Sequence, residues 1–171
     1  MEAAPRDDEA RRAALKEELN ELEDRAKFSA QGQFEQSKFW QRLNLGAGIA
    51  TAVAAAVSGA LVLAEAAFGF IGGMLALAAA AGGAVLTTSN AAQRASKAAS
   101  TANSYLEIQN AIRRTRNIDL ACSDLDDMRQ VLETLSERMD EQNKTAEPIA
   151  AFAYRRARRN IAAGGQSRTE S

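Results

Sequence analysis

The sequence contains no histidine, one cysteine and two prolines among its 171 residues. The absence of histidine excludes Ser-His and Cys-His catalysis and any histidine-based metal site. One cysteine, Cys122, excludes an intramolecular disulfide and a cysteine-cluster zinc site. A net charge of −1 provides no overall cationic field for nucleic acid. We therefore expect no enzyme activity, no cofactor or metal and no nucleic-acid partner. Because little proline interrupts apolar residues at helical spacing, we predict an all-α fold.

Charge is also nearly absent from one long stretch, residues 43–86, where Glu65 is the only ionisable side chain. A transmembrane helix needs about 20 apolar residues to cross roughly 30 Å of hydrocarbon. The stretch is long enough for two helices with a break near Glu65, so we predict a membrane hairpin over residues 44–64 and 67–87. The alternative is an alanine-rich hairpin buried in a soluble bundle. Soluble helices usually keep a polar face, and neither of these has one.

Small residues recur along one side of each predicted span, at spacings close to 3.5 residues. Small side chains let helix backbones approach closely in lipid, and the spacing predicts a left-handed crossing. We call this row the small-residue ridge. The spacing leaves open whether the ridge joins two spans of one chain or of neighbouring copies in a homo-oligomer. Its members are Gly48, Ala52, Ala55, Gly59, Gly69, Gly73, Ala76, Ala80 and Gly83.

Three polar residues lie within the predicted hairpin. Glu65 is either a carboxylate at the outer mouth of an oligomeric pore, where a ring of such groups favours cations, or a solvated turn residue. Thr51 and Ser58 are seven residues apart and therefore share one face of the first span. They either line a polar path or form hydrogen bonds locally or between helices, and we favour the hydrogen bonds.

Positive residues flank the hairpin on both sides, whereas the connecting turn has no lysine or arginine. This asymmetry predicts that both termini are cytoplasmic. Trp40 stands between Lys38 and Arg42 just before the first span. An aromatic side chain beside cations is typical of the lipid headgroup layer, so these three residues are predicted interface anchors. The alternative is that the neighbouring phenylalanines pack against later helices.

The other segments predict a cytoplasmic helical bundle. Residues 1–43 read as an N-terminal amphipathic helix with a kink at Gly32, residues 91–162 as further helices, and residues 163–171 as a disordered tail. Apolar residues of residues 125–139 form a heptad seam, which favours packing within the bundle. The seam consists of Leu125, Met128, Leu132, Leu135 and Met139.

Two groups of arginines have more than one reading. The final helix carries four arginines that contact the anionic inner leaflet, pair with acidic residues of the chain, or bind a nucleotide. We predict that they both contact the leaflet and pair with acidic residues. This set is Arg155, Arg156, Arg158 and Arg159. A second set, Arg113, Arg114 and Arg116, is a weak candidate for a phosphate site.

Two segments and the hairpin between them resemble a known family. The segments are AKFSAQGQFEQSKFWQRL, before the hairpin, and EQNKTAEPIAAFAYRRARRNI, in which a proline break is followed by an aromatic and a basic run. Together they resemble the SLATT family, small bacterial two-span membrane proteins named for their association with SMODS nucleotidyltransferases and SLOG nucleotide-sensor domains. The resemblance covers about residues 20–162.

The resemblance implies an effector of bacterial conflict and anti-phage defence in the inner membrane. SLATT proteins are proposed to permeabilise that membrane, by pore formation, when a nucleotide-linked signal arrives. No Gly-rich phosphate loop is present here, so we expect a separately encoded nucleotidyltransferase or nucleotide sensor as partner, besides the lipid bilayer. The alternatives are a non-conducting membrane-anchored adaptor or scaffold that recruits a partner through its cytoplasmic helices, and a soluble scaffold.

Overall fold

The computed structural model describes residues 5–64 and 69–164, and within these ranges the chain is helical with short connections. No strand occurs in the described residues, which confirms the all-α prediction. The elements are α1 (Pro5–Ala64), α2 (Gly69–Ser89), α3 (Ala91–Arg114), a π-helical turn (Thr115–Asp119), α4 (Leu120–Cys122), α5 (Leu125–Thr145) and α6 (Ala151–Ala162).

The chain divides into two compact units. The hairpin unit comprises Ser37–Lys97, and the bundle unit comprises Met1–Gln36 with Ala98–Ser171. Helices α1 and α3 contribute residues to both units. The predicted first span is the last third of α1. The predicted second span corresponds to α2, which ends at Ser89, two residues later than predicted; residues 67 and 68 of the prediction lie outside the described residues.

The core of the bundle unit is formed by α1, α3 and α5. Leucines and alanines of α1 meet one apolar face of α3, including Ile108 and Ile112. The heptad seam of α5 packs into the same core, with Leu135 and Met139 at most 5% exposed. The apolar side chains of this seam therefore pack against other helices of the same chain.

Tyr105 combines packing with a polar contact in this core. Its ring is 2% exposed, and its hydroxyl donates a hydrogen bond of 2.8 Å to Asn143 Oδ1. Burial raises the pKa of the Tyr105 phenol above its ordinary value of 10, because the phenolate would lose hydration. The neutral phenol is therefore part of the folded bundle unit.

Gly32 lies inside α1, which is helical from Pro5 to Ala64. A Cβ at this position would lie 2.6 Å from Ile149 Cδ1, which shows that glycine permits a close approach of the segment before α6. Two glutamines of α1 hold the backbone of that segment. Gln33 Nε2 donates to the Glu147 carbonyl at 2.8 Å, and the Ala150 N–H donates to Gln36 Oε1 at 3.1 Å. These bonds satisfy backbone groups that Pro148 keeps out of a helix.

The π-helical turn places Arg116 against α1. Its guanidinium pairs with Glu23 and donates a hydrogen bond of 2.7 Å to Asn20 Oδ1. A π turn inserts an extra residue into the helix and thereby redirects the side chains around it. Arg116 is consequently engaged inside the bundle unit.

Candidate membrane hairpin

The two helices of the hairpin unit meet along a polar and small-residue seam. Ser58 is 5% exposed, and its Oγ donates a hydrogen bond of 2.6 Å to the carbonyl of Gly72. One heptad earlier, Thr51 faces Gly82, where a Cβ would lie only 2.9 Å from Thr51 Oγ1. The predicted hydrogen bonding between helices is therefore confirmed for Ser58. Glycine at position 82 leaves the space that the Thr51 hydroxyl occupies.

The opposite faces of the same helices carry bulky apolar side chains. Ten of them are 42–82% exposed: Leu43, Leu45, Ile49, Val53, Val57, Phe70, Ile71, Met74, Leu77 and Val85. Both helices are long and apolar enough to cross a membrane, and only 6% and 12% of their apolar windows are buried inside the chain. A helix buried in a soluble core would hide this surface. Exposure of this kind indicates a membrane or protein partner and fits a membrane protein.

The small-residue ridge lies mostly on the exposed faces. Ala52, Ala55, Gly59, Gly73, Ala76 and Ala80 are exposed, and Gly48, Gly69 and Gly83 are half-buried. A Cβ built at Gly48, Gly59, Gly69 or Gly73 would meet no atom within 4 Å. At Gly83 it would make an ordinary contact of 3.9 Å with Thr51 Cγ2. Most of the ridge is therefore open to a neighbouring molecule.

The seam of α2 is one residue away from the ridge, and the sequence analysis missed it. Gly72, Ala79 and Gly82 repeat at the same spacing as Gly73, Ala80 and Gly83, rotated by roughly 100° around the helix. In an alanine- and glycine-rich helix both rows are equally small, so spacing alone does not separate them. The signal that identifies the buried row is Ser58 of α1, because a hydroxyl in lipid is stabilised where it donates a hydrogen bond to a neighbouring helix.

A second group of contacts joins α1 and α3 at the polar end of the hairpin unit. Ser37 Oγ donates a hydrogen bond of 2.8 Å to the Ala95 carbonyl, in a buried position. Beside it, the guanidinium carbon of Arg94 lies 5.1 Å from the centre of the Trp40 ring. Phe39 meets Trp40 edge-on, with ring centres 5.4 Å apart. The sequence placed Trp40 in the headgroup layer but did not find its partner Arg94.

The other predicted anchors and sites are distributed between the two units. Lys38 and Arg42 are exposed in the hairpin unit, on the side of α1 away from Trp40. In the bundle unit, α6 buries Ala153 and Ala157 and exposes all four of its predicted arginines, Arg155, Arg156, Arg158 and Arg159. Glu65, the candidate pore mouth, lies outside the described residues.

The three arginines of the candidate phosphate site do not lie together, because the π turn directs Arg116 away from Arg113 and Arg114. Arg113 and Arg114 line an open cavity of about 500 Å³ together with Asn110, Asn117 and Ile118. Arg116 is not part of this cavity, because it pairs with Glu23. Among the described residues, no group of three acidic or cysteine side chains is arranged to hold a metal ion.

No protein-family model, curated protein or solved structure matches this chain.

Proposed function

We propose that this protein is a bacterial membrane effector that crosses the inner membrane twice, assembles into a homo-oligomer and permeabilises the membrane in a conflict or anti-phage defence system. The apolar outer surface of the hairpin unit supports membrane insertion. Transferring that surface from water into lipid is favourable by about 25 cal/mol per Å² of apolar area, which stabilises the inserted state. The defence role comes from the resemblance to SLATT proteins.

The open small-residue ridge supports assembly. Lipid tails solvate apolar side chains as well as a helix does, so helices associate where close packing adds van der Waals contact. The intrachain seam already uses Gly72 and Gly82, whereas Gly59, Gly73 and Ala76 have space in front of them. Copies of the chain are thus the partners that would fill this space.

The adaptor alternative has less support. The heptad seam of α5 is the apolar helix face suited to a partner helix, but Leu135 and Met139 of that seam are buried in the bundle core. A second helix would have to displace α1 or α3 to reach them. In the proposed effector, the bundle unit instead receives the activating signal, either from a nucleotide-linked partner protein or at the open cavity beside Arg113.

Insertion is tested by fractionating cells that express the full chain. We expect the protein in the membrane pellet after ultracentrifugation and its release only by detergent. Recovery in the supernatant without detergent would refute the membrane assignment and favour a soluble scaffold.

Permeabilisation and assembly are tested with two substitutions in α2. Ala76 and Ala78 are both exposed and lie roughly 200° apart around the helix, so a leucine at each adds the same bulk on and off the ridge. We expect Ala76→Leu to reduce cross-linked oligomers and the loss of membrane potential in expressing cells, and Ala78→Leu to leave both unchanged. Equal effects of the two variants would contradict assembly through the ridge. Full oligomers without depolarisation, under any co-expressed trigger, would favour the adaptor.

A further inference from the structure

Arg94 and Trp40 form a cation–π pair in the hairpin unit. The guanidinium lies over the indole face at 5.1 Å, within the range of a cation–π contact. The buried hydrogen bond between Ser37 and Ala95 holds the two helices together one residue from Arg94. The backbone that carries Arg94 is therefore held beside α1, close to Trp40.

A guanidinium in contact with an aromatic face still has N–H donors available for other partners. The five N–H donors lie in the guanidinium plane and match the oxygens of a phosphate in a bidentate arrangement. Arg94 forms no ion pair among the described residues, and its side chain is exposed. Residues 37–97 contain one acidic residue, Glu65, which is 29 positions before Arg94 in the sequence. The hairpin unit therefore supplies no anion near this cation in the sequence.

The position of this pair along the helices identifies the source of the phosphate. Trp40 precedes the predicted first span by four residues, about 6 Å of helix, and Arg94 follows the end of α2 by five residues. This is the depth at which tryptophan and phosphodiester groups meet in a bilayer. Anionic lipids of the cytoplasmic leaflet attract a cation there.

We propose that Arg94 and Trp40 form a binding site for the phosphate of an anionic phospholipid headgroup. The edge of the guanidinium binds the phosphate oxygens, and the indole holds the guanidinium in place. The site rests on the proposed membrane insertion, because only an inserted hairpin brings Trp40 to the headgroup layer. It adds a preferred lipid class to that proposal.

Trp40 is the only tryptophan in the chain, so its fluorescence reports on this site directly. The full-length protein is placed in phosphatidylcholine nanodiscs that contain equal fractions of either brominated phosphatidylglycerol or brominated phosphatidylcholine. Bromine quenches a nearby indole, and the ratio of the two quenching curves gives the lipid preference around Trp40. We expect about a five-fold preference for phosphatidylglycerol, the effect of one cation near an anionic surface. The preference should decrease at high salt.

Three variants distinguish specific phosphate binding by the Arg94 guanidinium from non-specific attraction between any cation and an anionic lipid. Arg94→Gln should reduce the preference to less than two-fold. Arg94→Lys, which keeps the charge without the planar fork, should give an intermediate value. Arg42→Gln removes a cation at a similar depth but on the other side of α1, and should keep most of the preference. An unchanged five-fold preference in Arg94→Lys would refute the guanidinium site, as would equal losses in Arg94→Gln and Arg42→Gln.

Further outcomes distinguish lipid phosphate from soluble phosphate and test the membrane insertion on which the site depends. Inorganic phosphate added to phosphatidylcholine nanodiscs should leave Trp40 emission unchanged. A saturable change there, without a preference for phosphatidylglycerol, would overturn the lipid assignment in favour of soluble phosphate. Quenching by both lipids without preference would refute this site and leave insertion intact. No quenching by either lipid would refute insertion itself.

Discussion

Replacing Gly82 with leucine should disrupt the packing of α1 against α2. A single Cβ at this position already lies 2.9 Å from Thr51 Oγ1, and leucine adds three more carbon atoms on the same side. Overpacking of this kind typically costs about 1–3 kcal/mol. Thr51 has only one side-chain torsion to adjust, and Ser58 is tied to Gly72 one heptad away. The overlap is therefore relieved only when α1 and α2 move apart.

The matched control is Gly73→Leu in the same helix, where a Cβ would meet no atom within 4 Å. Both substitutions gain the same intrinsic helix preference of leucine over glycine, which is smaller than the roughly 0.8–1 kcal/mol of alanine over glycine, so the difference between the two variants isolates the seam. In a domain of 60–100 residues, 1 kcal/mol corresponds to roughly 4–8 °C in Tm. We expect the Tm of Gly82→Leu in detergent to be at least about 4 °C lower than the Tm of Gly73→Leu, when unfolding is monitored by Trp40 fluorescence.

Protein concentration provides the second readout. The effect of Gly82→Leu is intramolecular, so its Tm difference from the wild type should not change on dilution. Apart from this intrinsic helix preference, any effect of Gly73→Leu acts through assembly and should disappear on dilution, by mass action. Equal Tm values for the two variants at high dilution would refute the assignment of Gly82 to the seam and Gly73 to the outer face.

Three other changes test individual contacts. Ser58→Ala removes the hydrogen bond to Gly72 and should lower hairpin stability by about 0.6–1.7 kcal/mol, measured by the same fluorescence assay; a change below 0.2 kcal/mol would contradict a packed hydroxyl. Raising the pH through 10 should destabilise the bundle unit, because the folded state raises the pKa of Tyr105: the resulting stability is present below the unfolded pKa and is lost as the pH passes the folded pKa. Tyr105→Phe should remove this component of the loss of helical circular dichroism with pH. An identical pH titration of the variant and the wild type would refute the role of Tyr105. Gly32→Leu should lower the Tm through its clash with Ile149, and a second change, Ile149→Ala, should restore part of the loss; a double mutant as unstable as the sum of the single changes would contradict the contact.

The sequence predicted the helical elements well where local physics controls them. Residues 43–86 contain a single charged side chain, Glu65, whatever their neighbours, so two long apolar helices follow from the length of the stretch and the thickness of the hydrocarbon layer. The heptad spacing of α5 likewise identified its buried face, including Leu135 and Met139. The sequence did not reveal why position 32 is glycine, because glycine was interpreted only as a weak point in the helix. The structure shows that Ile149, more than 100 residues away in sequence, requires its small size.

Pairings between distant residues were decided only by the tertiary structure. Two equally small rows exist on α2, and the hydroxyl of Ser58 selects Gly72 for the seam, which leaves Gly73 outside. Arg116 belonged to the candidate phosphate site by sequence, but the π turn brings it to Glu23. The sequence by itself determined which segments are helical and apolar, because that depends on composition and periodicity within a segment. Only the tertiary structure decided which face meets which partner, because contacts such as that of Trp40 with Arg94 depend on the rotation of two helices about their axes.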